Sequence, residues 1–319
     1  MIAIVLALAA SIGWGCSDFL GGLRTRSLPV RAVAGGMFAG GLLTAVAAVV
    51  MRGSGYPGSG FLLASVIAGV SSLVAVSSLY KALAIGSMSI VAPINAAYPI
   101  VPVIYGLAQG ERPSALQLAG MALVVGGVVV ASYIRESGGT GRSADHPDGA
   151  VPTGDHLALV PAPDIGVGLA PPPSHDAAAR PPRMFASLVL AVVATLASGC
   201  VLTALSSAAE TDPYWGLIVV RAVALAGMLV VVAVTRGGTG VRPAHVPLLL
   251  GIGALDTVAT GLFAVATTYG YLSVVSVIAA LFPLGTMALA WLVLGERLRS
   301  YQYTGVATAL TGVALVALG

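Results

Sequence analysis

From Met1 to Ile134, and again from Met184 onward, the chain runs for some twenty residues at a time with almost no charge, and that pattern limits its fold more than any motif does. A helix needs roughly 20 apolar residues to cross a bilayer core of about 30 Å. Ten runs meet that length: 1–21, 29–51, 61–84, 88–108, 114–134, 184–208, 213–235, 246–268, 273–294 and 299–318. Lipid offers no partner to a backbone N–H or C=O, so only helices and closed barrels can span it. Barrel strands are segments of about ten alternating residues, whereas these runs are longer and apolar throughout. The chain is 57% hydrophobic and 8% charged, against about 25% charged in a soluble domain, which excludes a water-soluble globule. The first run lacks the basic start of a signal peptide and has a copy downstream, so it reads as a retained span.

That copy belongs to a duplication of the whole chain. Displacing the sequence by 184 residues lays IVLALAASIGWGC (4–16) over LVLAVVATLASGC (188–200), with Gly15 on Gly199 and Cys16 on Cys200. The same displacement pairs Gly69 with Gly253, Gly86 with Gly270, Ser89 with Ser273 and Pro99 with Pro283. After a slip of one residue, Glu111 pairs with Glu296, Gln117 with Gln302, Gly120 with Gly305 and Gly127 with Gly312. In the second and seventh spans a local shift brings RAVAGGM (31–37) onto RAVALAGM (221–228). Each half holds five spans, an odd number, so the second half enters the membrane from the opposite side. The expected fold is an all-α membrane protein of ten transmembrane helices arranged as two inverted five-helix repeats, 1–134 and 184–319, joined by a linker over 135–183. Inverted repeats are typical of secondary transporters, whose substrate site lies near the midplane between the halves.

These residues carry a resemblance to a known group. GWG (13–15) in the first span, Arg31 and Arg221 in spans two and seven, YKALAIGSMSIVAPI (80–94), Pro99 and Pro283, the two Gly-Glu-Arg turns and the glycine spacing of spans five and ten are similar to the drug/metabolite transporter superfamily, in particular its ten-helix EamA-type members. The likeness covers everything outside 135–183. It implies export or exchange of small metabolites, amino acids or drugs without ATP, and it does not select a substrate.

Residues 135–183 have no period and hold nine of the nineteen prolines, so they read as a disordered linker. His146, His156 and His175 lie there beside aspartates without regular ligand spacing, and a solvated linker is the preferred reading over a metal tract. No metal or other cofactor is expected. Cys16 and Cys200, at equivalent positions, read as small membrane residues, with a redox pair as the alternative.

Ionisable and polar groups inside the spans are the candidate site, because a charge at the bilayer centre costs at least about 2.5 kcal/mol. Asp256 falls near mid-depth of span eight, with Thr260, Phe263 and Thr267 along the same helical face. Two readings stand: a carboxylate that binds a proton or a cationic substrate in alternation, or a static ion pair with Arg221. An Asp256 that is fully paired or faces lipid counts against the first. Arg221 is deeper than an anchor requires, although its side chain is long enough to snorkel. Asp18 shares a face of span one with Ser11 and Trp14, and is read either as a cavity residue or as an interfacial one within reach of Arg24. Trp14 is too deep for an interfacial belt and suits a surface for an aromatic or cationic ligand. Asn95, Tyr98, Pro99 and Pro102 share one face of span four, and Pro99 has no N–H to offer the carbonyl of Asn95, as Pro283 has none for Ala279. The prolines therefore either expose binding carbonyls or simply kink the helices. Tyr80 and Tyr269 read as interface aromatics, with gate residues as the alternative. The turn glutamates read as caps, and the glycine ridges of spans five and ten as packing surfaces within the protein or between two copies.

The partners expected are a small-molecule substrate, the lipid bilayer and a proton as coupling ion, with no nucleic acid, in a monomer or homodimer. A lipid head-group flippase and a non-transporting scaffold are the competing functions. An enzyme is disfavoured because the spans lack a cluster of His, Cys or paired carboxylates. Twelve basic residues follow the odd-numbered spans, against Arg52 and Arg112 on the other side. The positive-inside rule then places the linker in the cytoplasm and both termini outside, in a plasma (inner) membrane protein; the family resemblance implies the reverse, with cytoplasmic termini, and the charge count is the preferred reading.

Overall fold

The computed structural model describes residues 1–25, 27–85, 88–132, 181–235, 241–295 and 300–319. Its helices are α1 (Ile2–Thr25), α2 (Val30–Arg52), α3 (Leu62–Ile85), α4 (Met88–Ala96), α5 (Ile100–Ala108), α6 (Ala115–Ser132), α7 (Pro181–Ala209), α8 (Pro213–Thr235), α9 (Val246–Tyr269), α10 (Leu272–Ala279), α11 (Phe282–Leu294) and α12 (Ser300–Leu318), with a single 3-10 turn over Pro243–His245. Ten spans are long and apolar enough to cross a membrane. The fourth is built from α4 and α5 and the ninth from α10 and α11, so the chain is an all-α membrane protein of two inverted five-helix repeats. The linker histidines, the side chain of Tyr80, and Glu296 and Arg297 of the second Gly-Glu-Arg turn lie outside the described residues. So does most of 135–183, although α7 begins three residues inside that segment.

Helix ends follow local chemistry. Asp212 caps α8, its Oδ1 accepting from the N–H groups of Tyr214 (2.8 Å) and Trp215 (3.0 Å). Ser114 and Gln117 form a reciprocal box at the start of α6, at 3.0 and 3.1 Å. α2 and α11 stop at Gly53 (φ 65°) and Gly295 (φ 68°), left-handed positions that glycine enters without a Cβ clash.

The two halves do not form two bundles. α6 packs most extensively on α12, α3 on α7, and α1 and α2 on α9, while α2 and α3 also pack on α8. Neighbouring spans of one half touch far less. The glycine ridges of spans five and ten face each other inside the protein. A Cβ at Gly120 would stand 2.7 Å from the carbonyl of Gly312, and one at Gly127 would stand 2.6 Å from that of Gly305. The helices are antiparallel, as a two-fold axis in the membrane plane requires. A second symmetric pair confirms the axis. Gly15 lies against the carbonyl of Phe282 and Gly199 against that of Tyr98, residues that correspond under the 184-residue displacement. The outer surface is a belt of exposed Leu43, Val50, Leu63, Leu229, Leu292 and Leu310, suited to lipid.

Gly127→Leu should wedge α6 from α12 and lower the melting temperature in detergent by several degrees, consistent with about 1–3 kcal/mol for overpacking. Gly126→Leu, where an added Cβ meets nothing within 4 Å, should melt within a degree or two of wild type. Equal melting of the two variants would contradict the packing.

Candidate functional site

The interior polar groups meet where α1, α8 and α9 cross. Arg221, buried on α8, places Nη2 2.6 Å from Oδ2 of Asp256 and donates to Oγ1 of Thr260 at 2.8 Å. Thr260 donates in turn to the carbonyl of Asp256 one turn back, at 2.7 Å. Nε1 of Trp14 also donates to Thr260 Oγ1, at 3.1 Å, tying α1 to the pair. The threonine hydroxyl thus accepts two bonds and gives one, its full capacity. Arg221 fits because Gly41 of α2 leaves room: a Cβ there would stand 3.1 Å from Arg221 Cδ and 3.2 Å from Nε.

The breaks of spans four and nine lie beside this cluster. Ala97 to Pro99 interrupt one span, and Ala280 and Leu281 the other, at positions equivalent by the repeat. Pro283 is the second residue of α11, where a missing N–H costs little. Tyr98 and Phe282, also equivalent, bring their rings to 6.2 Å across the axis. Trp14 continues the row, 6.4 Å from Phe282 and 5.6 Å from Phe263. Such edge-on and tilted contacts are the favoured ones for aromatic rings.

Several sequence expectations change here. The carbonyl of Asn95 is not left free by Pro99, because the chain tightens and the N–H of Tyr98 donates to it at 3.1 Å. What is unpartnered at Asn95 is its buried Oδ1. Arg221 does not snorkel; it turns inward to Asp256. The pairing of Asp256 is the geometry that weighs against it as a free proton carrier. Thr267 donates to the carbonyl of Ala264 in its own helix at 2.8 Å and does not join the cluster. Asp18 is not paired with Arg24. It is exposed, yet within Coulombic range of both Asp256 on α9 and Tyr98 at the span-four break. It lies one turn after Trp14, on the face of α1 that reaches Thr260 of α9. Cys16 and Cys200 are free thiols. Tyr269 is exposed, as an interface aromatic would be. Among the described residues no group of His, Cys, Asp and Glu is placed to hold a metal ion.

Two features were not foreseen. Glu111 does not cap its own turn: its carboxylate accepts from the N–H groups of Leu272 (2.6 Å) and Ser273 (3.0 Å), holding the start of α10 in the other half. On the same membrane face Arg52 meets Asp212 at 3.2 Å and lies 4.6 Å over the ring of Tyr214. Neither partner is near in sequence, and only the opposite charges of Arg52 and Asp212 hint at the second.

Comparison with known proteins places these features. The EamA-like transporter family matches the chain over residues 1–133 and 185–318. A solved structure, described as "Crystal structure of protein", shares 15% identity and a TM-score of 0.72, covering 99% of this chain and 98% of its own. At that identity the likeness concerns the fold. No curated protein matches by sequence.

Asp256→Asn should leave Arg221 buried without a counter-charge and lower stability by about 3 kcal/mol, the usual cost of breaking a buried pair. Asp256→Leu combined with Arg221→Met should recover most of that loss in a thermal melt. Additive losses in the double variant would show that the two side chains do not act as a pair.

Proposed function

Because the chain belongs to the EamA-like transporter family, we propose that it moves a small molecule across the membrane by alternating access, with the cavity between α1, α9 and the two broken spans as its site. The reading fits a secondary carrier, which draws on a gradient or on exchange. Small metabolites, amino acids and drugs are the classes considered, with export or exchange as the direction.

One observation carries it: a symmetric scaffold holding an asymmetric contact. Under the two-fold relation, α4 corresponds to α10 and α5 to α11. The half-helices α5 and α10 pack together, with Glu111 clamping the start of α10. Among the described residues the corresponding pair, α4 and α11, makes no comparable contact. α10 is buried along its whole length, whereas α11 has exposed positions. One face of the membrane is therefore closed by the broken helices, and the other is where Asp18 is accessible. Exchanging the two contacts, α4 on α11 in place of α5 on α10, generates the opposite state at little cost in new architecture. Discontinuous helices at a repeat interface serve this purpose in transporters. With the linker in the cytoplasm, as the basic residues favour, the open face is the cytoplasmic one. Thr260 and Trp14 hold the Arg221–Asp256 pair and shape the wall.

Purified protein in liposomes should catalyse counterflow of at least one amino acid or amine from a screened set, with and without a pH gradient; complete inactivity toward solutes alongside lipid scrambling would replace this reading with a flippase. A second measurement addresses the gate. In a background lacking Cys16 and Cys200, Ser276→Cys places a thiol on buried α10. Glu111→Gln should raise its labelling by an impermeant thiol reagent applied from the Glu111 face about tenfold, since a charge-assisted bond of roughly 1.5–3 kcal/mol is weakened. Unchanged labelling would show that Glu111 does not hold that face shut.

A further inference from the structure

The charges inside the cavity do not cancel. Arg221 is paired: its Nη2 serves both Asp256 and Thr260, and the guanidinium is buried, with Nε left without a partner. Asp256 is thereby neutralised. Asp18 has no hydrogen-bond donor and no ion-pair partner among the described residues, and it is exposed on the face of α1 that carries Trp14, within Coulombic range of Asp256 and Tyr98. With Asp18 ionised, the trio Asp18, Asp256 and Arg221 therefore sums to one negative charge with no ion-pair partner. Such a group is expensive unless something positive visits it.

Its surroundings indicate what kind of cation. Trp14 lies four residues before Asp18 on α1, which puts the two on one face a single turn apart. From Trp14 the rings of Phe263, Phe282 and Tyr98 continue without a gap. The indole N–H is committed to Thr260, so what Trp14 has left to offer a ligand is its ring, and ring faces attract cations. A carboxylate or phosphate on the ligand finds no equivalent welcome, because the guanidinium charge is already neutralised by Asp256 and is buried.

We propose that Asp18, rather than Asp256, is the charge-recognising residue of this cavity, and that its substrate is an organic molecule with a single positive charge on an aromatic or apolar body. Resting on the transporter reading, the proposal adds the substrate class and the residue that selects it. An α-amino acid zwitterion is disfavoured, because its carboxylate would meet the same uncompensated charge.

The test uses three probes of one shape on purified full-length protein in detergent at a single pH: benzyltrimethylammonium, benzyl alcohol and benzoate. Benzyltrimethylammonium carries a fixed charge, so proton loss cannot imitate its behaviour. Wild type should bind it at least about tenfold more tightly than either other probe, and Asp18→Asn should lose about tenfold in affinity. Asp18→Glu, which keeps the charge, should recover part of that loss, and Asp256→Asn should not match the Asp18→Asn defect. Wild-type preference for benzyl alcohol or benzoate would overturn the proposal, as would binding of none of the three or an Asp18→Asn protein that binds the cation as wild type does. The wild-type comparison decides even if Asp18→Asn fails to fold. Counterflow of a neutral or anionic solute alongside a failed cation test would remove the substrate class and leave the transporter reading standing. Absence of counterflow for every solute would count against the transporter itself.

Discussion

Helices in lipid gain nothing by hiding apolar surface from one another, since lipid tails are as apolar as leucine, so their association depends on how closely backbones can approach. This fold meets that requirement almost entirely between its two halves. Gly120 and Gly127 lie against Gly312 and Gly305, Gly15 against the turn at Phe282, and Gly199 against the turn at Tyr98. The halves are consequently one interlocked body, and each half's small-residue faces are completed by the other. The same contacts set the breaks of spans four and nine against α7 and α1, which places the site on the pseudo-axis.

Within that symmetric frame the chemistry is one-sided. Tyr98 and Phe282 are equivalent and meet as rings, but Trp14 corresponds to Ser198, Asp18 to Leu202 and Asp256 to Ser72. The repeat supplies a symmetric scaffold, while divergence between the copies places these carboxylates on one side of it only. Thr260 shows how tightly the inherited wall is organised. Its single hydroxyl joins α1, α8 and α9 and has no capacity left. It therefore positions the ion pair and does not offer its oxygen to a ligand.

On the Glu111 face the contacts between the halves are polar and long-range. Glu111 reaches the unsatisfied N–H groups at the start of α10, where the helix dipole also favours a carboxylate. Arg52 and Asp212 bridge the halves on the same face. Both are charge-assisted contacts at a membrane boundary, strong enough to hold a conformation and weak enough to exchange for water.

Much of this was legible in the linear chain. Run length and the absence of charge dictate ten helices, because lipid leaves the backbone no other partner. The displacement of 184 residues, with an odd number of spans per half, dictates inversion. Asp256, Arg221, Trp14 and Tyr98 stood out because polar and aromatic groups are conspicuous in apolar runs. Their partners did not. Thr260 as the common acceptor, the capture of the Asn95 carbonyl by Tyr98, Glu111 on α10 and the exposure of Asp18 all depend on side-chain direction and on helices far apart in sequence. A chain's hydropathy records which groups must be buried and how often the pattern repeats; it does not record which of two carboxylates an arginine chooses. That choice is made by geometry, where Gly41 admits the Arg221 side chain beside α9 and brings it to Asp256, leaving Asp18 without an ion-pair partner among the described residues.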